Sequence, residues 1–304
     1  MGSWDLESGI LLLDKPSGPT SHDMVMIVRR GAGQKQVGHA GTLDPLATGL
    51  LVICLGAATR LSDYMRGRDK RYRARVRLGQ STNTYDADGE ITTKSDAIPD
   101  HAAVEEALVK FRGLIQQRPP AFSAIKRGGR KAYELARAGQ TIELEARPVE
   151  IYSLELLEWQ PPELTLDVLC SAGTYIRSLA HDLGQTLGCG AHLTALRRTA
   201  SGNYQINEAV TLDELKKSFE IGDWRLHLRP ADEAVAEWPE VGLTAEAAAR
   251  IQHGQSIPLE DAQRADDWAR AYNPAGEFIA ILRADARAGV WRPYKVLAPP
   301  HSNS

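Results

Sequence analysis

The segment GHAGTLDPLATGLL, residues 38–51, sets one acidic side chain, Asp44, between small residues and a proline, just ahead of an apolar run. Pro45 pushes the residue before it toward extended backbone, which keeps Asp44 out of a helix interior. Gly38, Ala40 and Gly41 leave room for a ligand to approach the chain closely. A carboxylate presented in this way can act as a nucleophile that attacks an electron-poor carbon and later departs. An isolated Asp-Pro dipeptide reads as a turn or a helix N-cap, so only the whole block signals chemistry. An aspartyl-nucleophile phosphatase needs a second Asp two residues on, and position 46 is Leu, which excludes that class. Asp86 and Asp88 with Gly89 faintly echo a calcium loop, but the other ligands of that pattern are missing and the segment reads as a polar turn.

The elements around Asp44 follow from pattern. GILLLDKPSGPTSHDMVMIVRRGAG reads as a strand, a Gly-Pro turn and a helix capped by Thr20 and Asp23, ending at Gly31 or Gly33. GLLVICLG is a buried strand. KRYRARVRLG alternates, with Tyr72, Ala74, Val76 and Leu78 on one face and Arg71, Arg73, Arg75 and Arg77 on the other. This pattern alone assigns Tyr72 to the core; the arginine row either guards a sheet edge or meets phosphate. STNTYDADGEI is a polar loop, and a helix runs from about Asp100 to Gly113. The segment that follows, RPPAFSAIKRGGRKAYELARAG, is irregular and basic, then helical from about Lys131 to Ala138. LTLDVLC is a strand, and GTYIR opens a helix near Thr174, with Arg177 on its first turn. From about residue 230 the texture turns acidic and proline-punctuated, which reads as a linker before a small module of one helix and short strands. The expected division is residues 1–235 and 236–304.

Composition limits the function classes. No apolar run reaches the roughly 20 residues a membrane-spanning helix needs, and no export signal opens the chain. Three cysteines, Cys54, Cys170 and Cys189, are too few and too widely spaced for a disulfide framework, and no metal-ligand spacing occurs. A reducing, cytoplasmic protein without structural metal is expected. The net charge of −3 conceals basic islands: residues 60–77 hold eight basic and two acidic side chains, and residues 118–137 hold six and one. Islands of this kind in a near-neutral chain fit a phosphate-facing surface better than a uniformly cationic one.

Five segments in order, LLLDKPSGPTS, VGHAGTLDPLATGLL, KRYRARVRLG, AFSAIKRGGRKAYELARAG and CSAGTYIRSLAHDLG with GAHLTALRRTASG, closely resemble the TruB-type tRNA pseudouridine synthases. They cover most of residues 9–204. RIQHGQSIP and WRPYKVL resemble, over a shorter span, the PUA-type RNA-binding module that ends family members. The resemblance implies an α+β fold: a mixed, mainly antiparallel sheet with helices around a central RNA-binding cleft, plus a small C-terminal β-barrel-like PUA module. It places Asp44 at the catalytic aspartate and Tyr72 at the tyrosine that stacks on the target base and is implicated in proton removal. Arg177 falls at the arginine that pairs with the aspartate. His39, Tyr175 and Leu196 fall at substrate-contacting positions, and Lys15 with Pro16 in the motif that supports the active-site loop.

The implied reaction isomerises the T-loop uridine at tRNA position 55. It breaks the bond from ribose C1′ to N1, turns the uracil over and joins C1′ to C5, with Asp44 attacking either C1′ or C6. Nothing is oxidised and no group is lost, so no cofactor and no metal is expected. Arg177 is expected to keep the carboxylate ionised and to orient it through paired hydrogen bonds. A stacked base hides its sugar, so the uridine must be flipped out while phosphates are held. The island at residues 126–137, with Lys126, Arg130 and Lys131, is the expected clamp on the tRNA T-arm, and binding is expected to weaken steeply with salt. His39 is assigned a binding or loop-ordering role. A monomer with no protein partner and no membrane contact is expected. The alternatives are a noncatalytic tRNA-binding or folding protein, in which Asp44 is dispensable, and the same isomerisation on another RNA.

Overall fold

A computed structural model describes residues 7–122, 144–259 and 268–297, together with the backbone of 126–127 and 130–131. Among these residues the chain builds a large sheet in the order Val210–Thr211, Gly9–Lys15, Thr48–Leu55, Ala191–Ser201, Lys70–Leu78, Glu163–Cys170, Arg147–Gln160 and Gly113–Gln117, with Val37–His39, Tyr204–Gln205 and Leu228–Arg229 pairing alongside. Two pairings are parallel, Gly9–Lys15 with Val210–Thr211 and Ala191–Ser201 with Thr48–Leu55. The rest are antiparallel, so the sheet is mixed and mainly antiparallel as expected.

The continuous apolar runs have a physical reason. Thr48–Leu55 and Gly9–Lys15 lie mid-sheet with a core on each face. Leu11, Leu13, Leu51, Ile53 and Leu55 point into one cluster, and Ile10, Leu12, Leu50, Val52 and Cys54 into the other. A strand buried on both faces loses the polar alternation of a half-exposed one. Helices Ser21–Gly31, His101–Val109 and Ile176–Thr186 cover the first face. The predicted capping box of Thr20 and Asp23 is formed at the start of Ser21–Gly31.

Three expectations change. The strand Lys70–Leu78 does alternate, but it sits between Glu163–Cys170 and Ala191–Ser201 and guards no edge. Its arginines meet carboxylates on the neighbouring strand: Arg71 lies 2.6 Å from Asp167, and Arg75 and Arg77 lie 3.9 and 3.4 Å from Glu163. The segment read as a linker is packed. It forms a 3₁₀ turn, Ala231–Val235, whose Val235 is fully buried, and Trp238 stacks on Trp268. Lys131 does not begin a helix, because its backbone pairs with that of Lys126 as a strand. The expected helix to Ala138 lies outside the described residues.

A second sheet, in the order Glu240–Gly242, Trp268–Tyr272, Phe278–Asp285, Val290–Val296 and Ile257–Pro258, packs with the helix Ala245–Gln252 as the small C-terminal β module. Ile281 and Leu297 of this module join the cluster that holds Ile10, Leu50 and Val52. Arg60 reaches across to the Val296 carbonyl, Lys295 donates to the Arg60 carbonyl at 2.8 Å, and Arg68 pairs with Glu237. The first basic island is therefore largely taken up inside the protein. No helix among the described residues is long and apolar enough to cross a membrane.

Candidate active site

Asp44 lies on the loop between strands Val37–His39 and Thr48–Leu55. Lys15, at the end of the first strand and fully buried, holds this loop from beneath: its Nζ donates to the carbonyls of Pro16, Pro45 and Ala47 at 2.9, 3.3 and 2.7 Å. Burial lowers the Lys15 pKa to about 8, against the opposing pull of Asp44. Ser21, at the start of its helix, closes the other side: its Oγ donates to the Leu43 carbonyl and accepts from the Leu43 amide. The backbone flanking the aspartate is thus tied down while the carboxylate itself stays 42% exposed.

Arg177 reaches Asp44 from the first turn of helix Ile176–Thr186, its Nε 2.9 Å from Oδ2. Only 7% of that side chain is exposed. The expected paired hydrogen bonds to Asp44 do not form, because the rest of the guanidinium is engaged elsewhere. Nη1 donates to the Thr84 carbonyl at 3.1 Å and lies 3.3 Å from Asp86 Oδ2, and Nη2 donates to the Phe122 carbonyl at 3.0 Å. Arg177 is thereby fixed by two stretches of chain, the Thr84–Asp86 turn and Phe122, and offers one edge to Asp44.

Tyr72 projects from the middle of its strand on the buried face, directly opposite Arg198 on the neighbouring strand and Val168 on the other. Burial raises its pKa; Arg198 opposes the rise, while Cys170 and Asp44 add to it. Leu196, 8% exposed, sits opposite Ala74 on the same pair of strands. Tyr175 precedes Arg177, and its backbone exchanges two hydrogen bonds with the Gln117 amide. His39 ends the strand before the loop; burial first, then Arg66 and Arg198, lower its pKa and keep the ring neutral at pH 7. Lys126, Arg130 and Lys131 form a short backbone pairing, and their side chains lie outside the described residues.

Two residues of this site escape a reading of the sequence. Asp86 sits in the segment read as a polar turn, yet it is 5% exposed, bound by Thr84 Oγ1 at 2.6 Å and paired with Arg177. Arg198 is 1% exposed and donates to the carbonyls of Leu50, Thr42 and Gly41 at 2.7, 3.4 and 3.2 Å. The local signal for Arg198 was the alternation that sets it with Leu196 and Ala200 on the buried side of its strand, against Arg197 and Thr199. Among the described residues no group of His, Cys, Asp and Glu is arranged to hold a metal ion.

Together the mixed sheet and the ion-paired, half-exposed aspartate on a braced loop define a class: an α+β protein that presents an accessible carboxylate beside a buried arginine. Comparison with known proteins narrows this. Residues 29–176 match the TruB family pseudouridylate synthase N-terminal domain, residues 177–236 the tRNA pseudouridylate synthase B C-terminal domain, and residues 239–297 the pseudouridine synthase II TruB C-terminal region. The chain is 44% identical over 296 residues to a tRNA pseudouridine synthase B of Histophilus somni, covering 96% of each protein. It is 46% identical over 297 residues to one of Burkholderia lata, covering 97% of this chain and 89% of the relative. A solved Cbf5-Nop10-Gar1 complex contains a chain that superposes with a TM-score of 0.72 at 29% identity, over 96% of this chain and 85% of that one. The chain belongs to the TruB family of pseudouridylate synthases, and it is an isomerase.

Proposed function

We propose that the protein converts the T-loop uridine at position 55 of tRNA to pseudouridine, with Asp44 as the nucleophile on a base flipped out of the loop. The observation that carries this reading is the state of Asp44: a half-exposed carboxylate held by a buried arginine on a loop whose backbone is fixed by Lys15. Relatives named as tRNA pseudouridine synthases support tRNA as the substrate. Arg177 holds the carboxylate aimed. Tyr72 lies under the everted base and takes its C5 proton, and Leu196, Tyr175 and His39 line the approach. Lys126, Arg130 and Lys131 hold T-arm phosphates during eversion. Residues 236–304 form a PUA-type module that extends the RNA surface, and the protein works as a monomer in the cytoplasm.

The test is to react the protein with a full-length unmodified tRNA transcript and locate pseudouridine by carbodiimide labelling and primer extension. Modification at position 55 alone supports the proposal. Modification at another uridine, or none, contradicts it.

A further inference from the structure

Arg198 is a buried guanidinium that no carboxylate approaches to ion-pair distance among the described residues, whereas Arg177 has both Asp44 and Asp86. Its described hydrogen-bond acceptors are the neutral carbonyls of Leu50, Thr42 and Gly41. A buried, unpaired cation is costly to fold, and an uncharged residue of similar volume could fill the same space. At 1% exposure it is closed to an RNA phosphate. Gly49, at φ +97°, lies opposite Arg198 in the parallel pairing, and a Cβ there would stand 2.3 Å from the Arg198 carbonyl oxygen, so the two strand backbones cross closely where the Asp44 loop ends. Its side chain ties the two residues that precede Leu43 and Asp44, and on the adjoining strand it directly faces Tyr72. Cross-strand partners on one face sit about 5 Å apart at Cβ, within reach of a long side chain.

We propose that Arg198 is a positioning residue for the isomerisation: it fixes the Tyr72 oxygen and the Gly41–Asp44 loop relative to each other, and its unpaired charge favours the anion that Tyr72 must become. This rests on the role of Tyr72 under Proposed function. To accept the C5 proton, Tyr72 must be a phenolate. Its oxygen takes the proton and becomes a phenol, the electron pair of the C5–H bond returns to the pyrimidine ring, and N1 takes a proton from water. Burial, Cys170 on the strand Glu163–Cys170 and Asp44 on its loop all disfavour that phenolate. Arg198 counters them, whereas Lys70 on the same strand as Tyr72 and Lys15 beneath the loop, both lowered to about 8, lose their charge before a phenolate forms.

The experiment measures single-turnover tritium release from C5-labelled uridine in unmodified tRNA, from pH 6 to 10, with RNA affinity and thermal midpoint recorded for each variant. Arg198→Met is expected to bind RNA within about 3-fold of wild type and to react about 100-fold more slowly, with the rising limb of its pH profile moved to higher pH. Arg198→Lys, which restores charge without the fork, is expected to recover about 10-fold of that loss. A folded Arg198→Met with wild-type rate overturns the proposal. So does a loss no smaller in Arg198→Lys than in Arg198→Met, since that is what a packing role produces. Should Arg198→Met not fold, Arg198→Gln is read by the same criteria. Should neither neutral variant fold, Arg198→Lys decides: a limb moved to higher pH supports the proposal and a wild-type profile overturns it. Asp44→Asn is run in parallel. If it reacts like wild type, the parent reading fails; if it is inactive while Arg198→Met is normal, this inference alone fails.

Discussion

Arg177 spends Nη1 and Nη2 on oxygens from two stretches of chain and keeps Nε for Asp44. A lysine at this position carries the same charge but one nitrogen, and it cannot meet Asp44, Asp86 and two carbonyls together. Arg177→Lys is therefore expected to lower single-turnover tritium release by about 100-fold while RNA affinity stays within about 3-fold. Wild-type turnover would remove the proposed role. Lys15 makes a pH prediction. Its folded pKa, about 8, lies below the ordinary value of 10.5, so between these limits the unfolded chain binds more protons and stability rises with pH. Lys70, also lowered to about 8, shares this window. The gain in urea midpoint from pH 8 to 10.5 is expected to shrink in Lys15→Met without vanishing; an unchanged gain contradicts the assignment.

The elements show how far the sequence could be read. Alternation in KRYRARVRL assigned the faces of that strand correctly, because side-chain direction is a local property. It did not tell an edge from a centre, since that depends on Glu163–Cys170 and Ala191–Ser201, distant in sequence. Asp86 was missed for the same reason: a stretch of Asp, Asn and Gly reads as a solvated turn, and only Arg177, 91 positions later, makes a buried aspartate there tolerable. The packed Ala231–Val235 turn was hidden because its apolar residues are too few to set a period. By contrast the Asp44 loop was legible, since small residues and proline act on their own backbone. Gly49 tests the close crossing of strands behind that loop. Gly49→Ala places a methyl against the backbone of Arg198 at a positive φ, whereas Gly188→Ala, also at positive φ, meets nothing within 4 Å. Urea unfolding is expected to show a loss of about 1–2 kcal/mol for Gly188→Ala and a clearly larger one for Gly49→Ala. Equal losses would show that the crossing has slack.

Across the whole molecule the two sheets share one apolar cluster, which runs from Ile10 and Leu50 through Val235 to Ile281 and Leu297. Ile281→Ala, at a fully buried position, is expected to cost about 2–5 kcal/mol and to lower one common transition followed by both tryptophan fluorescence and far-ultraviolet dichroism. Two separate transitions would contradict a shared core. The same rigidity gives the molecule its proposed purpose: an RNA held at a distance while one uridine is turned onto Asp44. The most direct test of that claim is tritium release from C5-labelled uridine in unmodified tRNA by Asp44→Asn protein under single-turnover conditions, with binding measured on the same sample. RNA affinity near wild type and no detectable release are expected. Release at the wild-type rate by a correctly folded Asp44→Asn protein would contradict that claim.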